Sequence, residues 1–130
     1  MPVLVICQTL VKYGNNVEAT NLVQPPKEIL LEDYKTMIRS KHIVLVDFWA
    51  VWCGPCRKLS PIVEKIGKER AKDLNVFKIN VDENRMITSQ NSIDEIPTLI
   101  WYKDGKVALR MTGLYTEKYI TETLEGMLKK

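Results

Sequence analysis

Apolar residues crowd into one near-continuous, β-branched run at Ile43–Trp49, interrupted only by Asp47. A run of that kind marks a central strand buried on both faces. Downstream, Leu59, Ile62, Val63 and Ile66 recur at helical spacing as one apolar stripe that continues to Arg70. Pro61 lies inside this helix, where it removes a backbone donor and is expected to kink it. Residues 76–81 alternate as a strand with Phe77, Ile79 and Val81 on one face, and a short helix is expected around 85–90. Residues 98–102 and 107–112 read as two strands whose connection contains Asp104-Gly105, a strong hairpin signal. Thr116 is a plausible N-cap for a last helix carrying Tyr119, Ile120, Leu124, Met127 and Leu128 on one side.

Upstream the pattern is weaker. Residues 3–11 and 17–23 read as short β-like pieces around the turn Gly14-Asn15-Asn16. Pro25-Pro26 ends the second piece and suits the start of a helix. From Lys27 the residues Leu30, Leu31, Tyr34, Met37 and Ile38 fall at helical spacing, ending near Ser40-Lys41. The order strand, helix, strand, helix, strand, helix, strand, strand, helix predicts an α/β domain. Helical crossovers would make its first strands parallel, and the hairpin would add an antiparallel edge.

Composition narrows the function. The 130 residues suit one domain, 45% hydrophobic and 27% charged, with a net charge of +3. That charge is mild, and no basic run is interleaved with aromatics, so nucleic acid is excluded as a partner. No apolar run approaches the ~18–20 residues of a membrane span. The first ten residues lack a basic n-region and a small-residue cleavage site; we read them as retained, with a short organellar address as the alternative.

Three cysteines are too few for a disulfide scaffold, and a Cys-x-x-Cys beside a βαβ pattern reads as redox chemistry in a reducing compartment. The pair stands in Trp52-Cys53-Gly54-Pro55-Cys56, directly after the buried strand and at the start of the next helix. Residues three apart on a helix have Cβ atoms roughly 5–6 Å apart. A disulfide needs about 3.5–4.5 Å, so a small adjustment closes the ring.

The stretch from Val46 through Trp52-Cys53-Gly54-Pro55-Cys56, followed by Pro61, Val81-Asp82, Ile96-Pro97-Thr98, Asp104-Gly105 and Gly113, resembles the thioredoxin family. The resemblance covers residues 22–130, with 1–21 as an N-terminal extension outside it. It implies a thioredoxin fold: a central mixed sheet of about five strands with helices on both faces. It implies a protein-disulfide reductase that works without cofactor or metal, as a cytoplasmic monomer. Thioredoxin reductase would recharge it, and its targets would be oxidised protein disulfides such as peroxiredoxin-like or reductase proteins.

Within that reading each residue has a task. Cys53 at the helix N-terminus gains from the macrodipole, which favours the attacking thiolate. Cys56, one turn on, is the resolving thiol that releases the target. Asp47, costly to ionise inside an apolar strand, would have a raised pKa and would take the Cys56 proton; exposure at a strand end is the alternative. The family carries a Lys nearby, which here matches Lys78, although Lys78 by itself reads as a solvated strand residue. Arg57 keeps a cation near the site. Pro97 matches a proline that thioredoxins hold in cis, leaving the Ile96 backbone free to pair with an extended substrate. Trp52, Gly54, Pro55, Gly113 and Leu114 would form an apolar rim, with Trp49 in the core; Gly113 would serve a close backbone approach.

Oxidases and isomerases of related fold place a His between the cysteines, and here the only His is His42. The reference potentials of thioredoxin and protein disulfide isomerase differ by roughly 90 mV, about 4 kcal/mol. One charge-assisted hydrogen bond, worth about 1.5–3 kcal/mol, accounts for much of that gap, so a reductant is favoured. An isomerase or oxidase and a thioredoxin-fold binding module are the alternatives. A zinc site from the three cysteines and His42 is disfavoured, since Cys7 and His42 lack ligand spacing. Asp94-Glu95 departs from the family pattern and is expected either to select basic partners or to form a solvated turn.

Overall fold

The structure is a computed structural model that describes residues 11–13 and 28–129. Its elements are β1 (Val11–Tyr13), α1 (Leu31–Met37), β2 (Ile43–Trp49), α2 (Gly54–Glu69), β3 (Leu74–Asn80), α3 (Arg85–Gln90), β4 (Thr98–Lys103), β5 (Lys106–Thr112) and α4 (Glu117–Leu128). The strands lie in the order β1-β3-β2-β4-β5. Four long strands form the sheet proper, and three-residue β1 sits at its edge. β2 is central, parallel to β3 and antiparallel to β4, and the hairpin partner β5 forms the other edge.

Strand alternation decides which helices meet which side chains. Ile43 and Leu45 of β2, Leu74 and Val76 of β3, and Leu99 and Trp101 of β4 pack beneath α2 and α4, against Leu59, Val63, Ile66, Ile120 and Leu124. Val44, Val46, Phe48, Phe77, Ile79, Ile100 and Tyr102 point the other way, against Tyr34 of α1 and Ile87 of α3. Each buried aliphatic or aromatic side chain contributes about 1.5–3 kcal/mol. That packing, rather than intrinsic propensity, holds α1 and α3, whose seven and six residues are too few for a helix alone. In the second layer the Tyr34 and Tyr102 hydroxyls, 2.6 Å apart, satisfy each other.

Several expectations need correction. α1 begins at Leu31, because residues 28–30 run extended to dock on α3: the Met86 N–H donates to Glu28 Oε2 at 2.8 Å. Ile29 is buried there, while Leu30, assigned to the helical stripe, is exposed. β1 is antiparallel to β3 rather than parallel to its successor. The link over residues 14–42 is long enough to bring the chain back in either direction, so apolar pattern alone left the orientation open. Pro61 falls inside α2, where its place in the apolar stripe put it. On α4, Ile120, Leu124 and Met127 are buried, but Tyr119 and Leu128 face outward. The hairpin turn is Asp104-Gly105 with both residues at positive φ, the geometry of a type I′ turn, and Thr116 caps α4 by accepting from the Tyr119 N–H. The β-like pieces at 3–10 and 17–23, the turn at 14–16, Pro25-Pro26 and Cys7 lie outside the described residues.

Candidate active site

The loop after β2 ends at Cys53, the N-cap of α2 in extended conformation. Its Sγ accepts the Cys56 backbone N–H at 3.2 Å. Pro55 falls in the first turn, where a missing N–H costs nothing, and no acidic residue occupies that turn. Unpaired N–H groups and the helix dipole therefore favour negative charge at the Cys53 sulfur once it is reduced. The Cys53 and Cys56 sulfurs are bonded to each other, with Cα atoms 5.3 Å apart. Both cysteines are buried and pack with Ala50 against Trp49, Val81 and Ile96.

Beneath this helix stands Asp47, 1% exposed, not at a strand end. Ile43 and Leu45 face α2, so Asp47, two further along β2, faces α2 as well. Neither of its oxygens has a hydrogen-bond partner. Burial pushes its carboxyl up to about 7; Lys78 pulls downward and Glu64 adds a smaller push upward. Lys78 is directly opposite Asp47 in the parallel β2–β3 ladder. The reading of Lys78 as a solvated residue is corrected: its side chain is 13% exposed, because even positions of β3 face α2. Its ammonium lies 3.3 Å from Glu64 Oε2 and 4.7 Å from the Trp49 ring centroid. Trp49 is half-buried and lines, with Cys56, Ser60 and Lys78, a groove of about 310 Å³.

Pro97 is buried, next in the chain to Ile96, which packs against the cysteines, and the Ile96–Pro97 peptide is cis. Its carbonyl accepts the Gly113 N–H at 2.9 Å. Gly113 has φ 110, which L side chains rarely adopt, and nothing lies within 4 Å of where a Cβ would stand. Its requirement is conformational rather than the close approach expected from sequence. Trp52 is 65% exposed and held by its Nε1–H, which donates to Asp82 Oδ2 at 2.8 Å. It borders a groove of about 450 Å³ lined also by Val81, Ile93, Asp94, Glu95 and Ile96. A second groove, about 440 Å³, is lined by Gly54, Pro55, Arg57, Lys58 and Leu114. Arg57 donates to the Val51 carbonyl at 3.3 Å.

Asp82 as the anchor of Trp52 and Glu64 as the partner of Lys78 were missed by sequence reasoning. For Glu64 a signal existed: it lies eight residues, about two helical turns, beyond Cys56. Among the described residues no group of three or more His, Cys, Asp or Glu could hold a metal ion, and no helix is long and apolar enough to cross a membrane.

Two neighbouring sulfurs that link and unlink at a helix mouth carry two electrons at a time, which is the work of a thiol–disulfide oxidoreductase. The comparisons agree. The thioredoxin family model matches residues 26–126. Curated relatives include the thioredoxin of Alicyclobacillus acidocaldarius subsp. acidocaldarius, 39% identical over 97 residues that span 75% of this chain and 92% of that protein. Thioredoxin 1 of Synechococcus elongatus is 40% identical over 92 residues, 71% and 86% of the two chains. Among solved structures, a mutant thioredoxin from Halobacterium salinarum NRC-1 superposes with a TM-score of 0.70 at 32% identity, over 77% of this chain and 86% of its own. The chain belongs to the thioredoxin family, with the thioredoxin fold and the family's redox-active cysteine pair. Membership implies protein disulfides as targets and a thioredoxin reductase as electron donor.

Proposed function

We propose that the chain reduces protein disulfides by a mixed-disulfide route in which each site residue has a distinct task. The observation that carries this reading is the Cys53–Cys56 pair at the start of α2, with an unpartnered buried carboxylate under the same helix. The Cys53 thiolate attacks one sulfur of the target; the target S–S bond breaks, and one target sulfur departs as thiolate. Asp47 takes the proton of the Cys56 thiol. The Cys56 thiolate then attacks Cys53 Sγ, the mixed disulfide breaks, and the second target sulfur leaves and takes up a proton. Two electrons have passed to the target, and the Cys53–Cys56 bond remains. A carboxyl titrating near 7 suits a base at neutral pH, where it is ionised about half the time.

Recognition rests on backbone and on an apolar rim. Ile96 is half-buried against the cysteines, and its N–H and C=O make no hydrogen bond to a described residue, so they are available to an extended target segment. Trp52, Gly54, Pro55 and Gly113 supply the surrounding platform, and Pro97 orders it. Lys78 tunes Asp47, and Arg57 keeps a cation beside the pair. Asp94 and Glu95 line the groove beside Ile96, which supports selection of targets with basic residues near the reactive disulfide. Peroxiredoxin-like and reductase proteins are the partner classes we assign, with the chain acting as a cytoplasmic monomer. We keep residues 22–130 as the catalytic domain and 1–21 as an extension that adds β1.

Insulin reduction with dithiothreitol as electron donor tests the scheme. Wild type is expected to accelerate it, Cys53→Ser to abolish the acceleration, and Cys56→Ser to accumulate a mixed disulfide on Cys53. Acceleration by Cys53→Ser equal to wild type would overturn the assignment of the nucleophile.

A further inference from the structure

We propose that Glu64 is a positioning residue for proton transfer: it holds the Lys78 ammonium on its own carboxylate and so leaves the charge of Asp47 under-compensated. The proposal rests on the reading of Asp47 as the base for Cys56. Adjacent strands are about 4.8 Å apart, and Asp47 and Lys78 are ladder partners pointing to the same helix. A lysine so placed is well within reach of the carboxylate beside it. Nevertheless both Asp47 oxygens are without a hydrogen bond, while Lys78 Nζ lies 3.3 Å from Glu64 Oε2 and over the Trp49 ring.

Solvation decides the competition. The Glu64 side chain is 31% exposed and keeps part of its hydration as an anion, whereas Asp47 is sealed in and costly to ionise. The ion pair with Glu64 is therefore the cheaper one to form. Lys78 then reaches Asp47 only through a longer-range attraction that weakens with distance, and the Glu64 charge itself opposes ionisation of Asp47. Among the described residues, the charged groups that act on Asp47 are Lys78 from β3 and Glu64 from α2; Cys56 and Arg57 line the groove that Lys78 also lines, and β4 places apolar Leu99 opposite Asp47. Cys56, Ser60 and Glu64 follow one another at four-residue steps along α2, so groove, thiol and ion pair share one side of the helix. Without Glu64, Lys78 would turn to Asp47. The base would then be a tightly paired carboxylate with little affinity for the Cys56 proton near neutrality.

The test is an NMR titration of the Asp47 side-chain carboxyl carbon in the oxidised protein. In Glu64→Gln, which keeps the side chain's shape, the midpoint is expected to fall by about one pH unit. In Lys78→Met it should rise, and Glu64→Gln added to Lys78→Met should move it by only a small fraction of its effect in wild type. An unmoved midpoint in Glu64→Gln overturns the proposal. An equal shift in both backgrounds also overturns it, since Glu64 would then act through its own charge and not by holding Lys78. The pH profile for release of a target from Cys53 by Cys56 should follow the NMR midpoint in Glu64→Gln, and a profile that stays at the wild-type position removes the catalytic role. Asp47→Asn reports separately on the underlying reading: a wild-type profile in that variant ends Asp47 as the base, whatever the Glu64 titrations give.

Discussion

Asp47 shows how one residue trades stability for chemistry. Burial lifts its carboxyl from 3.8 to about 7, so the folded chain binds this proton more tightly than the unfolded chain does. Its contribution to stability is therefore fully present below about pH 4 and is lost as pH rises from about 4 to about 7. A gap of about three pH units corresponds to on the order of 4 kcal/mol. Asp47→Asn should accordingly be more stable than wild type by up to that amount at pH 8, with little gain at pH 4. Urea unfolding of the oxidised proteins at both pH values measures this, and a variant less stable than wild type at pH 8 would contradict it. The carboxylate was legible in sequence, because a lone Asp in an apolar central strand has nowhere polar to go. Its neighbours were not. The Lys78–Glu64 ion pair joins a strand to a helix, and the helical spacing of Glu64 from Cys56 is its one trace in the sequence.

At the scale of elements, the site depends on how the turn after β3 is tied down. Asn84 is fully buried just before α3; it accepts the Ile29 N–H at 2.7 Å and donates to the Asn80 carbonyl at 3.0 Å. It thereby joins the segment leading into α1 to the turn that carries Val81 and Asp82, the latter holding Trp52. Asn84→Ala leaves the buried Ile29 N–H unpaired and should cost about 1–3 kcal/mol in urea unfolding. A loss below a few tenths of a kcal/mol would show that this link is dispensable. The partners of Asn84 are 55 residues apart in one case and four in the other, and only the short-range bond falls within reach of a local pattern. The same distinction explains why the near-continuous apolar run of β2 and the Asp104-Gly105 turn were read correctly while the start of α1 was misplaced. Periodicity marks a helix, but a tertiary hydrogen bond drew residues 28–30 away from it.

The whole molecule presents a face on which charge is unevenly spread. Asp94 and Glu95 line the groove beside Trp52 and Ile96, whereas Arg57 and Lys58 line the groove beside Gly54 and Leu114. A net charge of +3 hides this arrangement. Asp94→Lys combined with Glu95→Lys should slow reduction of peptide disulfides flanked by Lys or Arg about three- to tenfold at low salt and favour those flanked by Asp or Glu. Reduction of a small neutral disulfide should be unaffected, and the discrimination should fade as salt screens the rim. Equal rates for all three substrates in wild type and variant would rule out charge selection by this groove.

Cys53, Gly54, Pro55 and Cys56 interact within one helical turn, and the buried run of β2 follows from its own apolar residues. Chemistry of that range is contained in the order of residues, so the electron-carrying pair and the central strand were determined before any folding. The sheet order, the antiparallel sense of β1, the competition between Asp47 and Glu64 for Lys78, and the grooves bordering the disulfide arise only where distant segments are brought side by side. Register and burial set those distances and the desolvation that goes with them, and both are properties of the packed sheet rather than of any stretch along the chain.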